Sequence, residues 1–301
     1  MDKENPRILI LGASGLLGSR VFLNLSKKYL VMGTSFSNDL NNLAIVKLDA
    51  LDPNVTEKIT EMHPDIIINC IAFTNVEKCE IDKDLAWNLN AEFPKKIAQL
   101  SKVLNAKLVH ISTDHFDFGD TKIRNENTEV VPVNFYGESK LAGEKSVLSI
   151  NNSAIVIRTN FFGSRPLNHI KNTFFETLIG NIESNRQSKG YGDIFFSPIS
   201  INELIKAILN LLAVEYSGLI HICGNERISK YDFCIELVKI MQNDMKLVLE
   251  AKYESNIVKR PSDMSMSNRR YYEKTGKSIL NYKNMLEEEY NLYNETRTKE
   301  S

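Results

Sequence analysis

Arg7-Ile8-Leu9-Ile10-Leu11-Gly12-Ala13-Ser14-Gly15-Leu16-Leu17-Gly18 reads as a buried strand that stops on a glycine and turns directly into a helix, whose apolar positions Leu17, Val21, Phe22 and Leu25 keep helical spacing. Gly12 permits the tight turn, and Gly15 lets a phosphate approach the backbone. The helix start offers that phosphate N–H donors and partial positive charge. Strand, turn and helix in this order are the context in which such glycines bind a dinucleotide, against the alternative of packing alone. Gly12, Ser14, Gly15, Leu16, Leu17 and Gly18 are therefore expected to hold a cofactor pyrophosphate.

Outward from the turn the alternation continues. Tyr29-Leu30-Val31-Met32-Gly33-Thr34, Ala44-Ile45-Val46-Lys47-Leu48, Asp65-Ile66-Ile67-Ile68-Asn69-Cys70, Lys107-Leu108-Val109-His110-Ile111 and Ala154-Ile155-Val156-Ile157-Arg158 are further strand-like runs. Helical stretches at 54–62, 83–105 and 134–148 lie between them. Apolar strands alternating with amphipathic helices imply a parallel sheet covered on both faces. Right-handed crossovers make such a sheet doubly wound. The expected fold class is α/β: a doubly wound parallel Rossmann sheet with a smaller C-terminal substrate-binding lobe.

The expected division is an NAD(P)-binding domain over 1–163 and a smaller, discontinuous lobe over 164–301, of which 197–223 returns to the first. In that second part 163–166 and 184–192 read as loops. Leu204, Ile205, Ile208, Leu211 and Leu212 form one apolar face of a helix over 202–214. Leu219-Ile220-His221-Ile222-Cys223 reads as a strand. Ser229 with Asp232 starts a capped helix, and 294–301 reads as a polar, frayed end.

With 301 residues, 43% of them hydrophobic and 25% charged, the composition is that of a soluble globular protein. A net charge of -1 and the lack of a basic run exclude a nucleic-acid surface. No apolar stretch approaches the ~20 residues of a membrane span. The polar start leads straight into a strand and reads as no secretory signal. Cys70, Cys79, Cys223 and Cys234 are too few and too scattered for a disulfide framework, and suit buried filler in a reducing cytoplasm. No carboxylate or histidine cluster has metal-ligand spacing, so no metal site is assigned.

An acid at the end of the second strand would grip the ribose of NAD. Here that place reads Gly33-Thr34-Ser35-Phe36-Ser37-Asn38, with no carboxylate until Asp39. Thr34 and Ser35 leave room for a 2′-phosphate, with Arg20 as counter-charge, so NADP(H) is expected over NAD(H). Asp49, after the third strand, suits the adenine edge, though it also reads as a surface loop acid.

Chemistry is carried by Asn134-Phe135-Tyr136-Gly137-Glu138-Ser139-Lys140. A spacing of four puts the Tyr136 phenol and the Lys140 ammonium on one helix face. The cation stabilises the phenolate and lets the phenol give up a proton near neutral pH. With 11 tyrosines such a pair arises by chance about once, so the order of parts decides. The nucleotide turn comes first, Ser112-Thr113-Asp114 at a strand end next, and the dyad last. Tyr136 is expected as general acid toward a carbonyl oxygen, Thr113 as its hydrogen-bond partner, and Asn90 as a link from Lys140 to solvent.

These residues resemble the extended short-chain dehydrogenase/reductase family, most closely its dTDP-4-dehydrorhamnose reductase branch. The resemblance covers nearly the whole chain. It also rests on Asn69-Cys70-Ile71-Ala72-Phe73-Thr74-Asn75-Val76-Glu77, on Lys140-Leu141-Ala142-Gly143-Glu144, on His221-Ile222-Cys223-Gly224-Asn225-Glu226 and on Lys259-Arg260-Pro261. It implies reduction of a 4-keto-6-deoxy sugar nucleotide by NADPH, in deoxysugar or surface-polysaccharide synthesis. Cys70, Ile71 and Ala72 would then line the cofactor, and Thr113, Asp114, His115, Asn160 and Arg260 the nucleotide-sugar. The resemblance allows a homodimer. His115 departs from the branch, standing where a substrate-facing tyrosine is expected; it reads as a polar rim residue or a second proton donor. Another sugar-nucleotide reductase or epimerase stays open. So does a non-catalytic role like that of the regulatory β subunit of methionine adenosyltransferase, which resembles the same branch.

Overall fold

Ile8 and Ile10 on one face of the first strand and Leu9 and Leu11 on the other are all buried, which requires a sheet covered on both sides. The computed structural model describes residues 5–36, 44–119, 124–166, 172–254 and 258–300. In chain order the elements run β1 (Arg7–Leu11), α1 (Leu16–Leu25), β2 (Leu30–Ser35), β3 (Ile45–Lys47), α2 (Val55–Glu61), β4 (Ile66–Asn69), α3 (Val76–Ile81), α4 (Lys83–Trp87), α5 (Phe93–Val103) and β5 (Lys107–Ile111). There follow α6 (Phe135–Ile150), β6 (Ile155–Arg158), β7 (Phe161–Phe162), α7 (Phe174–Glu183), β8 (Ser188–Tyr191), β9 (Phe195–Phe196), β10 (Ile199–Ser200) and α8 (Ile201–Ala213). The last are β11 (Gly218–His221), β12 (Ile228–Ser229), α9 (Lys230–Ile240), β13 (Val248–Ala251), α10 (Arg269–Thr275) and α11 (Tyr282–Glu300). No described helix is long and apolar enough to cross a membrane.

Two compact units emerge. One gathers Met1–Thr113, Pro132–Arg158 and Leu211–Ile220; the other gathers Asp114–Val131, Thr159–Asn210 and His221–Ser301. The first carries a sheet in the order β11-β6-β5-β4-β1-β2-β3. β1 pairs in parallel with both β2 and β4, so strand order reverses beside it. Open α/β sheets bind ligands at that reversal, beyond the carboxyl ends of the strands. On one face Leu9, Leu11, Ile67, Leu108 and Val156 form a core with Val55 and Ile59 of α2 and Phe93 and Ile97 of α5. The expected doubly wound parallel α/β sheet is what is observed.

The second unit is held by aromatic packing. Phe162 meets Phe233 edge-on at 5.1 Å between centroids, and Phe196 meets Phe233 at 5.8 Å. Around these lie three short strand pairs, β7 with β10, β9 with β12, and β8 with β13.

Three local expectations are corrected. The segment 83–105 is helical to Val103 but not regular: a π-helical turn at Asn88–Glu92 joins α4 to α5, and Pro94, which lacks an N–H donor, stands in the first turn of α5. Ser188–Tyr191, read as loop, pairs in parallel with Val248–Ala251; its polar sequence hides a strand whose partner is distant. The end, read as frayed, continues α11 to Glu300, where Arg297 clamps Glu183 of α7 at 2.8 Å.

Candidate active site

The glycine turn is built as its sequence requires. Gly12 has φ +83, which glycine adopts without steric cost. A Cβ on Gly18 would lie 2.1 Å from the Gly12 carbonyl oxygen, so only glycine lets α1 start this close to the turn. Gly15 precedes α1 and brings no side chain to cap it. The Ala13 N–H donates to the Thr34 carbonyl at 2.7 Å, and the Gly12 N–H to Thr34 Oγ1 at 3.3 Å. Ser14, Gly15 and Leu16 stay accessible while Leu17 and Gly18 are buried. Ile71 lies against the turn, its Cγ1 3.0 Å from where a Gly12 Cβ would be. Its N–H is held by Asn69 Oδ1 at 3.1 Å, which fixes the path of Cys70, Ile71 and Ala72 beyond β4. Burial pushes the Cys70 thiol up to about 12 and leaves it inert.

Thr34 and Ser35 end β2 and are buried. Arg20 is a buried residue of α1. Asp49 is exposed and its Oδ1 accepts from the Leu51 N–H at 2.8 Å, as a loop-turning acid does. Ser37, Asn38 and Asp39 lie outside the described residues.

α6 is fixed at its start from two sides. Asn134 Oδ1 caps the Gly137 N–H at 2.9 Å, and Glu80 Oε1 accepts from the Phe135 N–H at 2.6 Å. One turn apart on this helix stand Tyr136 and Lys140, both buried. The Lys140 ammonium donates to the Ile111 carbonyl at 2.8 Å, at the end of β5 and two residues before Thr113. Burial pushes Lys140 down to about 8, against the opposing pull of Glu144 and Cys70. Glu144, one turn further, receives Arg158 Nη2 at 2.7 Å and the Ser112 hydroxyl at 2.5 Å. Helix and strand end are thereby locked together on both sides of Lys140.

Asn90 sits in the π-helical turn. Its Oδ1 accepts from the Phe73 N–H at 2.8 Å, and its Nδ2 donates to the Phe73 carbonyl at 3.0 Å and to Ser139 Oγ at 3.1 Å. These bonds go to the backbone and a neighbouring serine, not to Lys140. A Cβ on Gly143 would lie 2.2 Å from the Asn90 carbonyl oxygen, so α6 packs directly on this turn.

In the second unit a cavity of about 320 Å³ is lined by His115, Asn160, Lys189, Tyr191, Lys230 and Arg260, among others. Three residues expected from sequence, His115, Asn160 and Arg260, thus meet there. Asp114 lies behind them, its carboxylate accepting from Asn160 Nδ2 at 2.6 Å. Burial pushes that carboxyl up to about 6, while Asn160 and Lys230 pull it down. Tyr191 and Tyr253 pack edge to face at 5.2 Å, and the Arg260 guanidinium lies 5.9 Å from the Tyr253 ring. Lys230, Lys189 and the tyrosine pair were not read from sequence, because they come from segments distant along the chain. Among the described residues no His, Cys, Asp and Glu group could hold a metal ion.

The family model described as RmlD substrate binding domain matches residues 6–294. A probable low-salt glycan biosynthesis reductase of Haloferax volcanii is 27% identical over 244 residues, spanning 79% of this chain and 81% of that one. A crystal structure of a dTDP-4-dehydrorhamnose reductase from Clostridium acetobutylicum is 30% identical and superposes with a TM-score of 0.83, covering 96% of this chain and 99% of that one. A dTDP-4-dehydrorhamnose reductase from Bacillus anthracis, solved in complex with NADP, is 26% identical with a TM-score of 0.85 over 96% of this chain and 99% of that one.

Proposed function

The chain belongs to the RmlD substrate binding domain family, and from that membership we propose that it reduces the 4-keto group of a nucleotide-activated 6-deoxy sugar with NADPH, in deoxysugar or surface-polysaccharide synthesis. The observation that carries this reading is the Lys140 ammonium, buried one turn after Tyr136 and bonded to the strand end that leads to Thr113. In this reading Tyr136 gives its proton to the carbonyl oxygen. Lys140 lowers the cost of the resulting phenolate by its charge. Thr113 donates a hydrogen bond to the same oxygen and orients it. Asn90 acts at one remove: it braces Ser139 and the Phe73 backbone, and so the helix that carries the dyad.

The residues present fit a dinucleotide. The open glycine turn and the uncapped start of α1 would take the pyrophosphate. Thr34 and Ser35 at the end of β2, with no carboxylate among them, suit NADP(H) over NAD(H). Cys70, Ile71 and Ala72 would wall the ring. When bound, the nicotinamide supplies the hydride. Lys140 is also within the same helix–strand junction and suits the ribose hydroxyls.

The cavity of the second unit is read as the nucleotide-sugar site, with Lys189 and Arg260 as diphosphate-binding cations and the tyrosine pair as a platform for the base. His115 reads as a polar rim residue for the sugar. The four free cysteines suit a reducing cytoplasm, and a homodimer belongs to the same reading. A panel of nucleotide-linked 4-keto sugars, offered with NADPH and with NADH, tests it by loss of nicotinamide absorbance. No substrate-dependent oxidation by any member would reject the proposal.

A further inference from the structure

Leu11, Asn69, His110 and Val156 stand in one row across the sheet, in register on β1, β4, β5 and β6. Leu11 and Val156 belong to the apolar core of that face, as do Leu9, Ile67 and Leu108 one step back along the strands. Asn69 and His110 are therefore a polar pair set into an apolar face, 1% and 0% exposed. Burying such groups costs free energy unless their bonds are made, so the bonds they make are informative.

The two contacts of Asn69 fix the tautomer of His110. Asn69 Oδ1 accepts from the Ile71 N–H at 3.1 Å, which turns the amide nitrogen toward the ring. That nitrogen lies 3.2 Å from His110 Nδ1. An amide nitrogen only donates, so Nδ1 is the bare acceptor and the ring proton sits on Nε2. Nε2 is buried and meets no partner among the described residues. Burial, with the Lys140 charge nearby, holds the ring well below the usual 6.5 and keeps it neutral. A proton on Nδ1 would face the amide hydrogens and displace Asn69, and with it the oxygen that holds Ile71.

What Asn69 holds lies beside the glycine turn. A Cβ on Gly12 would come within 3.3 Å of the Ile71 nitrogen and 3.4 Å of the Cys70 carbonyl carbon. The Cys70 N–H is tied to the Leu11 carbonyl at 3.0 Å, and Asn90 grips both backbone groups of Phe73. Between these anchors the Asn69 side chain holds Ile71.

We propose that His110 is a positioning residue of the cofactor site: by accepting from Asn69 it locks that amide, and the locked amide sets the spacing of Ile71 and Ala72 from the glycine turn. The proposal rests on reading Cys70, Ile71 and Ala72 as a wall of the bound dinucleotide. It adds a residue that acts on that wall from within the core, through Asn69.

NADPH titrations followed by nicotinamide fluorescence, beside urea melts of the same full-length variants, test it. Asparagine places an oxygen close to where His110 Nδ1 stands, and leucine has no acceptor. His110→Leu should weaken NADPH binding roughly tenfold or more, and His110→Asn should stay within about threefold of wild type. Stability should run in the other order, because leucine fills the apolar row and asparagine leaves space. Asn69→Ala reaches the same tie without altering the ring. Its loss of affinity should be at least that of His110→Leu, and the double variant should lose no more than Asn69→Ala alone. Unchanged affinity in His110→Leu, losses that follow the urea midpoints, or losses that add in the double variant would each make His110 a packing residue and overturn the proposal. A wild type that binds neither NADPH nor NADH would instead reject the cofactor reading, and the proposal with it.

Discussion

Lys140 donates from its buried ammonium to the Ile111 carbonyl oxygen at 2.8 Å, which joins the helix of the dyad to the strand end that precedes Thr113. The bond keeps a cation in a place where burial alone would favour its neutral form. Turnover that needs this charge should fall as pH rises through about 8, where Lys140 loses its proton. Stability runs the other way. A lysine depressed from 10.5 to about 8 is neutral in the folded chain while still protonated in the unfolded one. Its contribution to stability therefore rises with pH between those values. Lys230, also depressed to about 8, adds the same sign. Rates and urea midpoints measured from pH 7 to 10 should diverge; turnover that holds steady to pH 10 would contradict the role given to Lys140.

Asp114 is the opposite case. Its carboxyl is raised from 3.8 to about 6, so the folded chain holds a proton that the unfolded chain has lost. The stabilisation is present in full below 3.8 and is lost as pH rises through about 6. Asp114→Asn keeps an acceptor for Asn160 and removes the titration. Its stability should show a flatter pH dependence over that window, by on the order of 2 kcal/mol relative to wild type. Denaturant melts at several pH values check this.

Arg158 and Glu144 are both buried and joined at 2.7 Å. Removing one partner leaves an uncompensated interior charge. Arg158→Met should cost about 3–5 kcal/mol in chemical denaturation. A loss below about 1 kcal/mol would mean that Ser112 alone satisfies Glu144.

Gly18→Ala would push a methyl to 2.1 Å from the Gly12 oxygen. The turn must open, so NADPH affinity, read by fluorescence titration, should fall at least about tenfold. An unchanged affinity would remove the glycine turn from the cofactor site.

The sheet was legible because a parallel sheet buried on both faces leaves short, continuous apolar runs such as Ile66-Ile67-Ile68. The capping pair Ser229 and Asp232 was legible because it is local, and both of its bonds are made. Ser188–Tyr191 was not, since a short polar strand owes its existence to Val248–Ala251, far along the chain. The π-helical turn at Asn88–Glu92 was hidden inside a continuous helical pattern. Lys230 escaped for another reason: one lysine at a helix start reads as solvated, and only the fold lays it over the Phe196 ring and into the cavity lining. Tyr136 and Lys140 were legible as a pair by spacing, whereas the grip of Lys140 on Ile111 depends on how α6 packs against β5.

Tyr136→Phe reaches the centre of the account, because it removes one oxygen and leaves the ring in place. Steady-state reduction of a nucleotide 4-keto sugar should drop by about 10²–10⁴-fold, while NADPH binding by the same variant stays within about threefold of wild type. A phenylalanine variant that turns over within twofold of wild type would contradict the assignment of the proton donor and the chemistry built on it.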